Sequence, residues 1–266
     1  MKKSIVFILF LSMFLFACSP SIQEPIDDDD DIEEPIIEEP DEPKIPDIVF
    51  VDPVETNSPN TSYLPAFEGQ TRISGVKTTI SYTFTVLTPA LNEPWGIDVL
   101  PNGDLVVTEK SGKLRIVKSD GSIGPAITGF PAINSNGQGG LLDVVVSPQF
   151  AQDRMLYFTL SLQSSKGSVT AVGKAELSND QTTLNNFELI YEATPYFSGN
   201  GHYGSRIVFD KTGYLFISTG DRQSVQTRMN SQNLNNGHGK VLRLNTDGTP
   251  AQDNPFINQG NSHTPI

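Results

Sequence analysis

Apolar and polar positions along this chain alternate in short runs cut by turn residues, with almost no helical periodicity. Residues 80–86, Ile-Ser-Tyr-Thr-Phe-Thr-Val, alternate at period two, which predicts a strand with one face buried. Residues 96–100, 105–108 and 114–117 read as three further strands, separated by Pro101-Asn102-Gly103-Asp104 and by Ser111-Gly112. The same unit, an apolar strand, a tight turn and a second strand ending in Thr or Ser, returns at 144–159 and at 207–219. Val99, Val145 and Val208 mark it, 46 and 63 residues apart. A third strand recurs as well: Gly112-Lys113-Leu114-Arg115-Ile116 matches Gly239-Lys240-Val241-Leu242-Arg243. Repeats of this size predict an all-β fold built of propeller blades, with a β-sandwich as the plainer alternative. Three to four blades fit between residues 62 and 266. Propellers close with about four to eight blades, so the chain is expected to be the front part of a longer protein.

The N-terminal pattern is different. Lys2 and Lys3 precede an apolar run over residues 5–17, too short to span a bilayer and expected to act as a secretory signal over residues 1–17. Leu15-Phe16-Ala17-Cys18 resembles the signal at which bacterial lipoproteins are cleaved and lipidated, so Cys18 is the expected lipidation site. Cys18 is also the sole cysteine, which excludes an intrachain disulfide. The protein is therefore expected to be exported to the cell envelope and held at a bacterial membrane by acyl chains.

Residues 24–55 carry fifteen acids and one base, a net charge of −14, while residues 56–266 carry sixteen acids and fifteen bases. The whole-chain charge of −13 thus belongs to an acidic, proline-rich segment. Residues 18–61 are expected to form a stretched, disordered tether. With no basic patch and an acidic tail, a nucleic-acid partner is disfavoured.

The candidate chemistry lies at Gly199-Asn200-Gly201-His202-Tyr203-Gly204-Ser205-Arg206, which leads into the apolar run from Ile207. Histidine titrates near neutrality, and flanking glycines let a ligand approach the backbone. Thr219-Gly220-Asp221-Arg222 ends the next apolar run with an acid, so a histidine base and a carboxylate stand at neighbouring strand ends. Gly199, Gly201 and Gly204 also satisfy the dinucleotide-binding glycine pattern. That pattern needs a following helix, whereas strands follow here.

Pro94-Trp95-Gly96, Thr108-Glu109, Gly137-Gln138-Gly139-Gly140-Leu141-Leu142-Asp143, His202-x-Gly204-x-Arg206, Gly220-Asp221, Gly239-Lys240-Val241-Leu242-Arg243 and Asp253-Asn254-Pro255-Phe256 stand in order along the chain. This ordered set resembles the soluble glucose/sorbosone dehydrogenases, or aldose sugar dehydrogenases. Those are six-bladed β-propellers that use pyrroloquinoline quinone (PQQ) with calcium. The resemblance implies oxidation of aldose sugars at C1 to lactones, with hydride transfer to PQQ and onward electron transfer to a quinone or small redox carrier. It assigns His202 as the general base, Asp221 as the acid that orients it, and Gln138 as a residue near cofactor and substrate. Arg206 fits either a cation beside the quinone or the blade wall. Trp95 is expected in the core or channel wall, His238 in a loop, and Glu109 and Asp143 at blade turns. Gly201 stands where glucose-specific members carry an acid, which favours a broader aldose range. The calcium ligands and further cofactor clamps are expected beyond Ile266, so no metal-ligating residue is assigned and the 266 residues alone are expected to be inactive. The alternative is a non-catalytic propeller that binds a glycan or a protein partner at the envelope.

Overall fold

A computed structural model describes residues 49–259 other than 69 and 71. The signal over 1–17, Cys18 and the tether as far as residue 48 lie outside the described residues. The described residues up to Tyr82 form one unit, in which β1 (Val49–Val51) pairs antiparallel with β2 (Gly75–Lys77). The expected tether therefore ends in a short strand, because Val49-Phe50-Val51 is an apolar, β-prone break in the acidic run. The second unit, which bears the blades, begins at Thr83.

That second unit holds three sheets. Blade A is β3 (Pro94–Val99), β4 (Leu105–Glu109) and β5 (Lys113–Val117). Blade B is β6 (Leu141–Val146), β7 (Met155–Ser164), β8 (Gly167–Leu177) and β9 (Leu184–Glu192), with a four-residue helix α1 (Phe150–Asp153) between its first two strands. Blade C is β10 (Gly204–Phe209), β11 (Leu215–Thr219) and β12 (Val241–Leu244). Every pairing among these strands is antiparallel and joins consecutive strands, with residues 220–240 as the long connection between β11 and β12. Among the described residues no helix is long and apolar enough to cross a membrane.

Alternation along the strands decides how blades stack. In blade A, Val106, Leu114 and Ile116 are buried against Leu141, Val144 and Phe158 of blade B. The other face of blade B presents Tyr157 and Val172 to Ile207, Leu215, Ile217 and Leu242 of blade C. Two apolar seams thus join three sheets in series.

Two expectations need correction. Residues 80–86 form no strand, and Ile80, Tyr82, Phe84 and Val86 are exposed. Alternation at period two shows only that one face could be buried, and here every residue of the run is exposed. The repeat register also shifts by one residue. The pairings Asp98↔Val106, Val145↔Tyr157 and Val208↔Phe216 make Asp98, not Val99, the counterpart of Val145 and Val208.

Each first strand also carries an irregularity at the same place: between Pro94 and Ile97, Leu141 and Val144, and Gly204 and Ile207. A bulge of this kind re-aims side chains at a strand end. In blade A it brings Gly96 against blade B, where an added Cβ would lie 2.7 Å from the Leu142 carbonyl oxygen and 2.8 Å from Asp143 Cα. Gly96→Ala is therefore expected to destabilise the fold by about 1–3 kcal/mol through overpacking, read as a lower denaturation midpoint at unchanged slope.

Candidate active site

The candidate residues gather where loops leave and enter the first two strands of the blades. Gln138 lies in the loop before β6, His202 in the loop before β10, and Asp221 just after β11. Gly220 lets the last two meet: a Cβ there would sit 2.0 Å from the His202 carbonyl oxygen.

His202 Nδ1 lies 2.7 Å from Asp221 Oδ1. An ionised carboxylate only accepts, so Nδ1 carries the proton, and in the neutral ring Nε2 is then the nitrogen with the lone pair. The imidazole side chain is 48% exposed and Asp221 30%. The ring is thus fixed on one edge and open on the other, the state a proton acceptor requires. Asp221 also accepts the Gln223 backbone N–H at 2.9 Å. That bond first, and His202 second, hold its carboxyl below the usual 3.8. A lowered acid pKa contributes stability above the unfolded value and loses it as pH falls through the folded one. The His202–Asp221 contact is therefore expected to persist at neutral pH and to release only below pH 3.8, observable as a change in the His202 ring signals in a pH titration by NMR.

The backbone around His202 is held at every point. Gln138 Oε1 accepts the His202 N–H at 2.8 Å, and the Gln138 N–H donates to the Asn200 carbonyl at 2.8 Å. The Arg222 N–H donates to the His202 carbonyl. The Arg222 guanidinium, 1% exposed, donates to the carbonyls of Gly199, Gly201 and Ser168 and to Ser168 Oγ. It also stacks 3.9 Å from the centroid of the Tyr203 ring. Tyr203 Oη in turn meets Ser168 Oγ at 2.7 Å, and Asn134 Nδ2 donates to Asn200 Oδ1 at 2.8 Å. His202, Ser205, Arg222 and Gln223 all have left-handed backbone, with φ of 45°, 90°, 66° and 54°. Such conformations cost energy in residues with side chains and persist only where surroundings enforce them. At His202 the surroundings include Arg222, which binds the His202 carbonyl through its N–H and the Gly201 carbonyl through its guanidinium.

Arg206 stands apart from this network. Its Nη1 donates to Asp143 Oδ1 at 2.8 Å, and its guanidinium lies 4.9 Å from the Trp95 ring centroid. The Arg206 side chain nevertheless remains 62% exposed. Asp143 closes no turn, contrary to expectation. It is buried in β6, where it also accepts the Ile207 N–H at 3.0 Å and ties blade B to blade C. Burial raises its carboxyl above 3.8 despite these donors. Glu109 does close a blade turn, since its carbonyl accepts the Gly112 N–H at 2.9 Å between β4 and β5, while its buried side chain accepts the Asn92 N–H at 2.9 Å.

His238 lies in a loop but is buried. Its Nε2 donates to the Pro195 carbonyl and its Nδ1 accepts from Asn230, while burial lowers its pKa and keeps it neutral. Both ring nitrogens are used, which leaves it no site role. Among the described residues no three His, Cys, Asp or Glu side chains come together to hold a metal ion.

The sequence reading missed Arg222, Tyr203, Asn134 and Asn200. Arg222 directly follows Gly220-Asp221, but nothing in the local pattern says that a cation there turns inward.

The profile of the Glucose / Sorbosone dehydrogenase family matches residues 91–266. The chain is 36% identical over 183 residues to the aldose sugar dehydrogenase YliI of Escherichia coli (strain K12), covering 68% of this chain and 48% of that protein. It is 23% identical over 201 residues to quinoprotein glucose dehydrogenase B of Acinetobacter calcoaceticus, covering 67% and 42%. Among solved structures, the apo-form of the soluble aldose sugar dehydrogenase from Escherichia coli superposes with a TM-score of 0.63 at 35% identity, over 68% of this chain and 52% of that one. The PQQ-bound aldose sugar dehydrogenase from Streptomyces coelicolor gives 0.60 at 27% identity, over 70% and 52%. This chain spans about half the length of the curated relatives it matches. With the motifs in order, the strands in three blades and the profile over residues 91–266, the chain belongs to the glucose/sorbosone dehydrogenase family, whose fold it carries as a partial β-propeller.

Proposed function

We propose that this chain contributes the proton-accepting part of a site that oxidises aldose sugars at C1 to lactones with PQQ. The observation that carries this reading is the 2.7 Å contact that fixes His202 Nδ1 on Asp221 and leaves Nε2 open. In this reading Nε2 takes the proton of the anomeric hydroxyl, which eases departure of the C1 hydride. Asp221 keeps the ring in that tautomer and stabilises the imidazolium that forms, as a carboxylate behind a histidine base does. PQQ, when bound, accepts the hydride and so serves as the electron sink.

The residues present fit part of an anionic quinone. Gln138 spends its Oε1 on His202 and keeps its amide N–H groups for a cofactor or sugar oxygen. Arg206 spends one Nη on Asp143 and keeps its remaining donors on the exposed side. These two would hold the cofactor from this side, and further cations and any calcium site would come from blades additional to the three described. The 266 residues alone are therefore expected to give no turnover. Electrons would pass to a quinone or small redox carrier at the membrane that holds the Cys18 acyl chains. Cys18→Ser is expected to abolish labelling with radioactive palmitate and to move the protein out of the membrane fraction.

The test is a chimaera in which residues 91–256 replace the matching half of the E. coli aldose sugar dehydrogenase. It is expected to oxidise several aldoses only when loaded with PQQ. A folded chimaera that is loaded but oxidises none would favour a non-catalytic propeller.

A further inference from the structure

One oxygen, Asp221 Oδ1, holds two residues: the His202 ring through Nδ1 at 2.7 Å and Gln223 through its backbone N–H at 2.9 Å. Arg222 and Gln223 follow the acid with φ of 66° and 54°, and this left-handed pair turns the chain sharply. Their side chains go to different places. Arg222 is buried against the carbonyls of Gly199 and Gly201, whereas Gln223 is exposed and lies across Gly201. A Cβ added at Gly201 would lie 3.0 Å from Gln223 Cδ and 3.1 Å from its Cβ, with Oε1 nearer still. The bare Cα of residue 201 is thus the seat of the Gln223 side chain, one residue before His202.

The Gln223 carboxamide carries both donors and an acceptor. Among the described residues the hydrogen bond that Gln223 makes comes from its backbone N–H, so its side chain keeps both functions. Gln138 differs: its Oε1 is spent on the His202 N–H, which leaves it donors alone. Arg206 likewise has only donors, and donors suit an anionic quinone. A sugar hydroxyl both donates and accepts. Of these three residues Gln223 alone can answer both.

We propose that Gln223 is a specificity residue that hydrogen-bonds the C2 hydroxyl of the aldose, and that Gly201 is bare so that the carboxamide can lie there. The inference rests on the catalytic reading above. With the anomeric hydroxyl at His202 Nε2, the positions adjoining C1 are C2 and the ring oxygen. The C2 hydroxyl donates and accepts, whereas the ring oxygen only accepts, so the carboxamide is matched to C2. Gly201 is not left-handed, so its backbone conformation does not call for glycine. A methyl group at residue 201 would push aside the flexible end of an exposed side chain, at little cost to the fold.

The chimaera carrying residues 91–256 tests this with glucose and 2-deoxyglucose, which differ only in the C2 hydroxyl. The parent is expected to prefer glucose. Gln223→Ala should reduce that preference, read as the ratio of kcat/KM values, by about 3–10-fold, the effect of one neutral hydrogen bond. Gly201→Ala should reduce it to the same extent and the double variant no further, since both changes remove one contact. The denaturation midpoint should stay near that of the parent in all three. The same preference is read without turnover from binding of the two sugars to the PQQ-free chimaera, by saturation-transfer NMR. His202→Asn is expected to slow both sugars alike and to keep the preference in binding, so a failed base assignment shows in that variant alone. An unchanged preference in Gln223→Ala, additive losses in the double variant, or equal binding of the two sugars by the parent would overturn the proposal.

Discussion

Arg222→Met is expected to destabilise the blade-bearing unit by about 3 kcal/mol or more, and to free the His202 loop where folding survives. The guanidinium is the donor for three backbone carbonyls and one hydroxyl in a place closed to water. A buried acceptor that loses its donor costs about 1–3 kcal/mol, so removing this hub ranks among the larger single-residue losses. Methionine fills much of the volume and lets hydrogen bonding, rather than a void, carry the effect. Arg222→Lys separates charge from geometry. It keeps the cation but cannot fork to Gly199, Gly201 and Ser168 together, and should recover only part of the loss. Denaturant unfolding gives the magnitude. The chain has three histidines, so long-range proton–nitrogen spectra can follow the His202 ring separately. The hydrogen-bonded Nδ1 proton should vanish in Arg222→Met and survive in the wild type.

His202→Asn in the chimaera with the E. coli enzyme is expected to lower kcat by about 10²–10⁴-fold, the range set by removal of a general base. Asparagine can still accept a hydrogen bond in the loop but takes no proton at neutral pH. The exposure of His202 keeps the cost to stability small, so PQQ loading and the denaturation midpoint should stay near those of the parent chimaera. Asp221→Asn should leave the imidazole in place with its tautomer no longer fixed, giving a smaller loss that falls on kcat rather than KM.

Much of this architecture was legible because it is periodic. Strands β3, β4 and β5 and the repeats that became β6–β7 and β10–β11 follow from alternation and turn residues, since burial of one face forces that pattern. Residues 80–86 misled because alternation reports a face that could be buried, whereas every residue of that run is exposed. The register error at Val99 came from matching valine to valine, whereas blade A carries the polar Asp98 where the other blades carry Val145 and Val208. The approach of His202 to Asp221 was legible because glycines mark close approach and the two chemistries complement each other. The structure sets them 2.7 Å apart. Arg222 was hidden because a cation between Asp221 and Gln223 reads as solvent-exposed. Its burial is decided by carbonyls at Gly199, Gly201 and Ser168, as far as 54 residues away in sequence. Asp143 read as a turn residue since acids are common in turns, whereas its partners Arg206 and Ile207 belong to the next blade.

The most direct measurement is the PQQ-dependent rate of aldose oxidation by the chimaera carrying residues 91–256, compared with the same protein bearing His202→Asn. The account predicts oxidation that requires PQQ and falls about 10²–10⁴-fold in the variant at equal cofactor loading. A variant that turns over at the parent rate would show that His202 takes no proton in the reaction, and would contradict the assignment of the His202–Asp221 pair as its base.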